Sequence, residues 1–251
     1  MTEALDFPAL LRLIDDRSAA FQAALTAAPR LDLPVPTCPE WTIADLARHL
    51  GDGQRSWAAT VTAGPAATAR STSSDAPAPQ EAGALAAWFA ASTRELLDAL
   101  REAGPDRGCW TWWGGSQSPQ TSGAVARHRL QEAAVHAYDA QLAAGTKQPL
   151  PAEVALDGVE EFLSTCCATP SPWPHAPTAF DFHASEGRSW RLTADGDGAR
   201  VTRLRAPVVG AAVHGTASDL VLFMYDRLPA GSLRIDGDAT LIDLLRAWEP
   251  E

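Results

Sequence analysis

Two side chains of metal-ligand type stand four residues apart in the segment from Arg127 to Asp139. Glu132 and His136 are separated by about one helical turn, so they share a face of any helix that spans them. A carboxylate and an imidazole in this arrangement can take two positions around a divalent ion. The same spacing also occurs on solvated helix faces, where the carboxylate only stabilises the imidazole. A metal site therefore needs a third ligand from elsewhere in the chain.

His49 is of the right chemical type to be that third ligand. It lies in a segment predicted to be helical from Thr42 to about Val61, and Thr42 with Asp45 has the spacing of a capping box. His49 shares a helix face with two leucines, which is more typical of a histidine in the core. The alternative is that it meets the Glu–His pair across a helical bundle.

Four helical segments are predicted in the first part of the chain. Apolar residues recur at three- to four-residue steps, and proline or glycine follows the first, third and fourth segments. The predicted ranges are 4–28, 42–61, 85–103 and 121–144, with Gly145 as the C-cap of the last. Residues 63–84 have low complexity and are predicted to form a loop. Four such helices fit a bundle that holds a metal with inward-pointing Glu and His side chains.

Three tryptophans precede a Gly-Gly pair between the third and fourth helices, at positions 110, 112 and 113. One interpretation is that they cap one end of the bundle. The other is that they form one side of a pocket.

The pattern changes to short strands after about residue 150. Beta-like runs occur at 178–184, 188–194, 198–204, 207–215 and 232–238, with hairpin turns at 186–187 and 195–198. Helical segments are predicted at 152–165, 215–228 and 239–248. The fold class is therefore α+β, with a helical domain at residues 1–150 and an α+β domain with an antiparallel sheet at 151–251.

The amino-acid composition limits the classes of partner that this chain can bind. The formal net charge is −11, from 31 acidic and 20 basic residues, which argues against binding to nucleic acid or an anionic membrane. The chain has no apolar run long enough to cross a bilayer and no export signal at its N-terminus, so a cytoplasmic location is expected. The four cysteines form no CxxC pair and are predicted to be free thiols.

Several segments together resemble the mycothiol-dependent maleylpyruvate isomerase family, a branch of the DinB-like four-helix metalloproteins. They are CPEWTIADLARHLGDGQRSW at 38–57, RHRLQEAAVHAYDAQLAAG at 127–145, and HGTASDLVLFMYDRLP at 214–229. They occur in order and at the right separations over most of the chain. The resemblance implies a divalent ion, usually zinc, held by His49, Glu132 and His136.

The resemblance also implies a mechanism and one further residue. A thiol that enters an open position on the metal is held as the nucleophilic thiolate. In the isomerase, reversible addition converts a cis double bond to trans, whereas related transferases keep the adduct. Arg227 matches a position where the family often has arginine and could bind a carboxylate in a fork. An exposed ion pair with Asp226 is the alternative for this arginine.

The sequence departs from the family pattern at three positions. Gln131 replaces a histidine that often precedes the glutamate, His128 replaces an arginine, and Ala124 replaces an aromatic residue. His128 could be an extra ligand or could change the pocket. Asp139 could orient His136, or it could serve only as a solvated or capping residue.

Three functions remain open at this stage. The first is a metal-dependent enzyme that uses mycothiol or a similar small thiol for isomerisation or S-transfer. The second is a zinc-dependent hydrolase of an amide or thiol conjugate. The third is a non-catalytic module that binds a small molecule. The expected partners are a small-molecule substrate and a low-molecular-weight thiol, and the expected state is a monomer or small homo-oligomer. His175, His183 and His214 have no spacing partner and are predicted to be structural.

Overall fold

The computed structural model describes residues 5–71, 78–202, 204 and 210–250. The chain divides into two compact units, each described by itself below. The first consists of Met1–Trp112 with Gln120–Leu150, and the second of Trp113–Pro119 with Pro151–Glu251. No helix in the described ranges has the length and apolar character needed to cross a membrane.

Four long helices build the first unit, as predicted. They are α1 (Phe7–Ala27), α2 (Ile43–Ala63), α3 (Ala82–Ala103) and α4 (Ser122–Ala143). The capping box at the start of α2 is confirmed, because Thr42 accepts from the Asp45 N–H and Asp45 accepts from the Thr42 N–H. The C-cap of α4 is Ala144 rather than Gly145, and Gly145 follows it at φ 74°. Of the predicted loop at 63–84, residues 72–77 lie outside the described part.

A short hairpin joins α1 to α2. Strands β1 (Pro34–Val35) and β2 (Cys38–Thr42) pair antiparallel. The prolines in this segment exclude a helix, as expected, because each lacks an N–H and restricts the residue before it. The hairpin brings Thr37 and Trp41 close to residues of the candidate site described below.

The core of this unit lies between the helices, where Phe21 of α1 and Phe89 of α3 place their rings 4.7 Å apart. Helix α4 is buried along most of its length, including six polar side chains: Ser122, His128, Arg129, Gln131, His136 and Asp139. Buried polar groups need hydrogen-bonding or charged partners, so this helix is where a site is expected.

The second unit combines three helices with a five-stranded sheet, which confirms the α+β fold class. Its helices are α5 (Ala152–Phe162), α6 (Ala217–Met224) and α7 (Ala239–Ala247), and α5 continues into a π-helical segment, Leu163–Cys167. The strands are β3 (Thr178–Ala184), β4 (Ser189–Asp195), β5 (Gly198–Thr202), β6 (Ala211–Gly215) and β7 (Arg234–Gly237). Of the predicted strand at 207–215, residues 207–209 lie outside the described part.

The sheet order is β5-β4-β3-β6-β7, and three of its four strand pairs are antiparallel. The pair β3–β6 is parallel. The alternation of apolar and polar residues that predicts a strand does not reveal the direction of its neighbour. This parallel register sets His183 opposite His214, and their rings stack at 4.5 Å. His175 packs against Trp173 with the ring centroids 4.9 Å apart. All four cysteines are free thiols.

Candidate metal centre

Helices α2 and α4 bring together the three predicted ligands. The Glu132 Oε2 atom lies 3.9 Å from His49 Nε2 and 3.8 Å from His136 Nε2. One ligand atom from each residue lies within 4.8 Å of the others, and no other such group of three metal-ligand side chains occurs among the described residues. The third ligand comes from 83 residues earlier in the chain than Glu132, counted as 132 minus 49.

The donor set and its spacing fit a divalent ion. Zinc accepts imidazole nitrogen and carboxylate oxygen at about 2.0–2.2 Å, so tetrahedral ligand atoms lie roughly 3.3–3.6 Å apart. The distances from Glu132 Oε2 to the two imidazole nitrogens exceed that range by only a few tenths of an ångström. Three protein ligands also leave at least one position for an exogenous group. The assignment of these three residues as ligands stays a prediction.

Arg129 controls the charge of Glu132. Burial opposes ionisation of this carboxyl, but the positive charge of Arg129, together with the nearby imidazoles, outweighs it and lowers the pKa of Glu132 to about 2. The Arg129 Nη1 atom lies 3.4 Å from Glu132 Oε2, and the arginine itself is buried. Gly53 of α2 leaves room for this guanidinium, because a Cβ at that position would lie 3.3 Å from Arg129 Nη2.

Asp139 orients His136. Its Oδ2 atom lies 2.9 Å from His136 Nδ1, and its Oδ1 atom accepts a hydrogen bond of 2.6 Å from the Thr37 hydroxyl. Asp139 is fully buried. A carboxylate that accepts the Nδ1 proton leaves the lone pair on Nε2, the atom that faces Glu132. Of the two sequence interpretations of Asp139, the geometry favours the orienting role.

His49 lies at the edge of the apolar stripe of α2 rather than inside it. Leu46 and Leu50 are fully buried, whereas 46% of the His49 side chain is exposed. The Trp41 ring lies 4.7 Å from the imidazole. Partial burial, next to the imidazole of His136, lowers the pKa of His49 to about 4, so the ring is neutral at neutral pH. A neutral imidazole is the form that binds metal.

His128 lies among tryptophans. Its ring is 6.3 Å from that of Trp57 and 5.7 Å from that of Trp112, while Trp57 stacks on Trp110 at 6.1 Å. His128 is outside the group of three ligand atoms, so the geometry favours a pocket-shaping role over a fourth ligand. Trp112 is half exposed, at 50%, which suits an open aromatic surface beside His128.

Sequence reasoning missed four contributors: Thr37, Gly53, Arg70 and Arg129. Arg129 stands three residues before Glu132, a spacing that signals contact on a helix. Arg70 lies over the Trp57 ring at 5.8 Å, and its charge also lowers the pKa of His49. Arg70 lies within the low-complexity segment 63–84, where no local sequence pattern marks it. Thr37 and Gly53 depend on contacts distant in sequence.

Arg227 belongs to the second unit, two residues after the C-cap of α6. Its Nη1 atom donates a 2.6 Å hydrogen bond to the Tyr225 carbonyl oxygen. The neighbouring Asp226 pairs with Arg246 of α7. The role of Arg227 in binding a carboxylate stays a prediction.

The first unit is helical and holds a clustered Glu–His–His group, and the second is a small α+β unit. Together they define this chain as a candidate two-unit metalloprotein. The family model for the mycothiol maleylpyruvate isomerase N-terminal domain matches residues 11–141, and that for the MDMPI C-terminal domain matches residues 153–244. The chain therefore belongs to the mycothiol-dependent maleylpyruvate isomerase family, and the resemblance seen in the sequence is confirmed.

Solved structures agree on the fold. A crystal structure of the mycothiol-dependent maleylpyruvate isomerase matches with a TM-score of 0.60 and 14% identity, covering 98% of this chain and 97% of that one. A histidine-to-alanine mutant of the same protein matches with a TM-score of 0.61, the same identity and the same coverage. At 14% identity, the structural similarity is evidence for a shared fold. No curated protein matches this sequence.

Proposed function

We propose that this chain is a metal-dependent enzyme that uses mycothiol, or a similar small thiol, to isomerise a maleylpyruvate-like cis double bond or to transfer sulfur to a small molecule. The observation that carries the proposal is the convergence of His49, Glu132 and His136 from two helices. Family membership supports the thiol and the substrate class. The proposed domains are residues 1–150, which hold the metal, and 151–251.

The proposed ion is zinc, which would stabilise an incoming thiol as thiolate. The protein side chains prepare the site for it. Glu132 is ionised because the charge of Arg129 offsets the cost of burial, and His49 is neutral because of partial burial. Asp139 accepts the Nδ1 proton of His136, so that Nε2 keeps its lone pair.

The reaction is a nucleophilic addition followed by elimination. Sulfur of the thiolate adds to one carbon of the cis double bond, and the displaced π electron pair moves onto the conjugated carbonyl group of the substrate as an enolate. The former double bond is now single and rotates. Return of the electron pair expels the same thiolate and leaves the trans isomer. The thiol is regenerated in isomerisation and retained in S-transfer. We propose that Arg227 binds a substrate carboxylate in a fork, since two parallel N–H groups match its two oxygens.

The proposed setting is the cytoplasm, where four free thiols persist. The acidic net charge of −11 supports small-molecule partners rather than nucleic acid. The proposed assembly is a monomer or small homo-oligomer.

Metal analysis and turnover test the proposal together. The purified protein should contain about one equivalent of zinc by elemental mass spectrometry, and maleylpyruvate should isomerise only when mycothiol is added. His49→Ala should lose both metal and turnover, whereas the exposed His175→Ala should keep both.

Turnover without thiol would reject the proposal. Release of a hydrolysed product would favour a hydrolase, and ligand binding that survives in metal-free His49→Ala would favour a non-catalytic module.

A further inference from the structure

The turn that carries Arg227 has an unusual residue at its reversing position. Helix α6 ends with Tyr225 as C-cap, and Asp226 follows with φ at 60°. The Asp226 N–H donates to the Phe223 carbonyl and the Arg227 N–H to the Leu222 carbonyl, at 3.1 and 2.7 Å. These two bonds define a Schellman motif, whose reversing residue is usually glycine.

Asp226 is the one non-glycine residue with positive φ among the described residues; the other six are glycines. A side chain in the left-handed region is disfavoured, although aspartate tolerates it better than most. Backbone geometry alone would therefore favour glycine at this position. Aspartate at this position adds a carboxylate that glycine lacks.

The carboxylate of Asp226 binds Arg246 from α7. Arg246 donates to Asp226 Oδ1 through both Nε, at 3.2 Å, and Nη2. The Arg246 guanidinium also lies 5.1 Å from the ring centroid of Phe223, in the last turn of α6. We name this pair the Asp226–Arg246 clasp. It ties the reversing turn to a second helix of the same unit.

The Asp226–Arg246 clasp fixes the backbone position of Asp226 and therefore the position of Arg227, the next residue. The Arg227 backbone N–H is bound to Leu222, and its guanidinium is bound to the carbonyl of Tyr225. Both contacts depend on the path of the chain through Asp226. An exposed ion pair contributes little to stability, and 70% of the Asp226 side chain is exposed. The clasp is therefore better suited to setting direction than to adding stability.

We infer that Asp226 and Arg246 are positioning residues that hold the Arg227 guanidinium in the orientation in which it binds the substrate carboxylate. This inference rests on the proposed function for the role of Arg227. The clasp itself acts only within the second unit.

Steady-state kinetics on the full-length zinc-loaded enzyme with maleylpyruvate and mycothiol test the inference. Asp226→Gly keeps the left-handed turn but removes the clasp, and Arg246→Gln removes it from the other side. Each should raise KM for maleylpyruvate roughly tenfold, with kcat changed by less than about twofold. Arg246→Lys keeps the charge and should recover part of the loss. Arg200→Gln, which removes the exposed Arg200–Asp195 pair of the same unit, is the matched control and should leave KM unchanged.

Stability separates positioning from a folding defect. Asp226→Gly should unfold at the same temperature as the wild type or higher, because glycine relieves the left-handed strain. A raised KM in a variant of undiminished thermal stability supports positioning. An unchanged KM in both Asp226→Gly and Arg246→Gln, with the wild type active, overturns the inference.

A second readout does not depend on activity. Modification of Arg227 by phenylglyoxal, followed by peptide mass spectrometry, reports how firmly its guanidinium is held. Release of the clasp should make this modification roughly threefold faster in Asp226→Gly, because the locally open state becomes more populated. If the wild type shows no thiol-dependent turnover, the proposed function fails, and an unchanged modification rate would then overturn the clasp as well.

Discussion

Replacing Asp139 by asparagine should weaken metal binding without removing a ligand. The substitution keeps the shape of a fully buried side chain and exchanges one carboxylate oxygen for an NH₂ group. The carboxylate now bridges the Thr37 hydroxyl at 2.6 Å and His136 Nδ1 at 2.9 Å. If the asparagine oxygen keeps the Thr37 bond, its NH₂ group faces Nδ1. That nitrogen must then act as an acceptor, so the proton moves to Nε2 and occupies the ligand position.

The size of the effect follows from this tautomer change. Loss of a group that orients a metal-binding histidine costs about 10- to 100-fold in affinity, equivalent to about 1.4–2.7 kcal/mol. The asparagine can also rotate and present its oxygen to His136, with the Thr37 hydroxyl accepting instead of donating. Valine at position 37 has no hydroxyl, so nothing holds the asparagine oxygen away from His136. The double variant Thr37→Val/Asp139→Asn should therefore bind metal more tightly than Asp139→Asn alone.

Zinc affinity measured by competition with a coloured chelator at pH 7.5 is the assay. His136→Ala provides the reference for loss of a ligand, and circular dichroism of each metal-free variant shows that the helical unit is intact. If Asp139→Asn binds zinc within about threefold of the wild type while His136→Ala does not bind, the hydrogen bond from Asp139 does not set the tautomer of His136.

Three further predictions concern glycines and a histidine. Gly51→Ala should lower the free energy of unfolding, measured by urea titration, by about 1–2 kcal/mol. The added methyl would lie 2.2 Å from a ring carbon of Trp88. The cost of this clash should exceed the roughly 1 kcal/mol that alanine gains over glycine in helix propensity. Gly53→Ala should displace the Arg129 guanidinium and weaken zinc binding roughly tenfold, while leaving helix content unchanged. Burial lowers the pKa of His214 below 6.5, so the unfolded chain takes up a proton first; stability should fall as pH drops below about 6.5, and less steeply in His214→Gln.

Each of these has an outcome that contradicts it. A Gly51→Ala variant as stable as the wild type would mean that the Trp88 ring can move aside. Unchanged zinc affinity in Gly53→Ala would mean that Arg129 does not depend on the space beside Gly53. If the stability of the wild type and of His214→Gln depends on pH in the same way, groups other than His214 cause the loss of stability in acid.

The sequence by itself determined the features that depend on neighbours within one turn or one strand. The Glu132–His136 pair, the Thr42 capping box and strand β3 at 178–184 were all readable because helix and strand periodicities are local. Family membership was readable because several short motifs occurred together in order. The α+β class followed from the change of period after residue 150.

Only the tertiary structure decided which distant residues meet. The contact of Thr37 with Asp139 joins residues 102 positions apart, and the approach of His49 to Glu132 needs two helices packed with the right faces together. The parallel pairing of β3 with β6 and the left-handed conformation of Asp226 likewise left no mark in local periodicity. Such contacts depend on loop closure and on packing of the whole chain, which a short window of sequence does not encode.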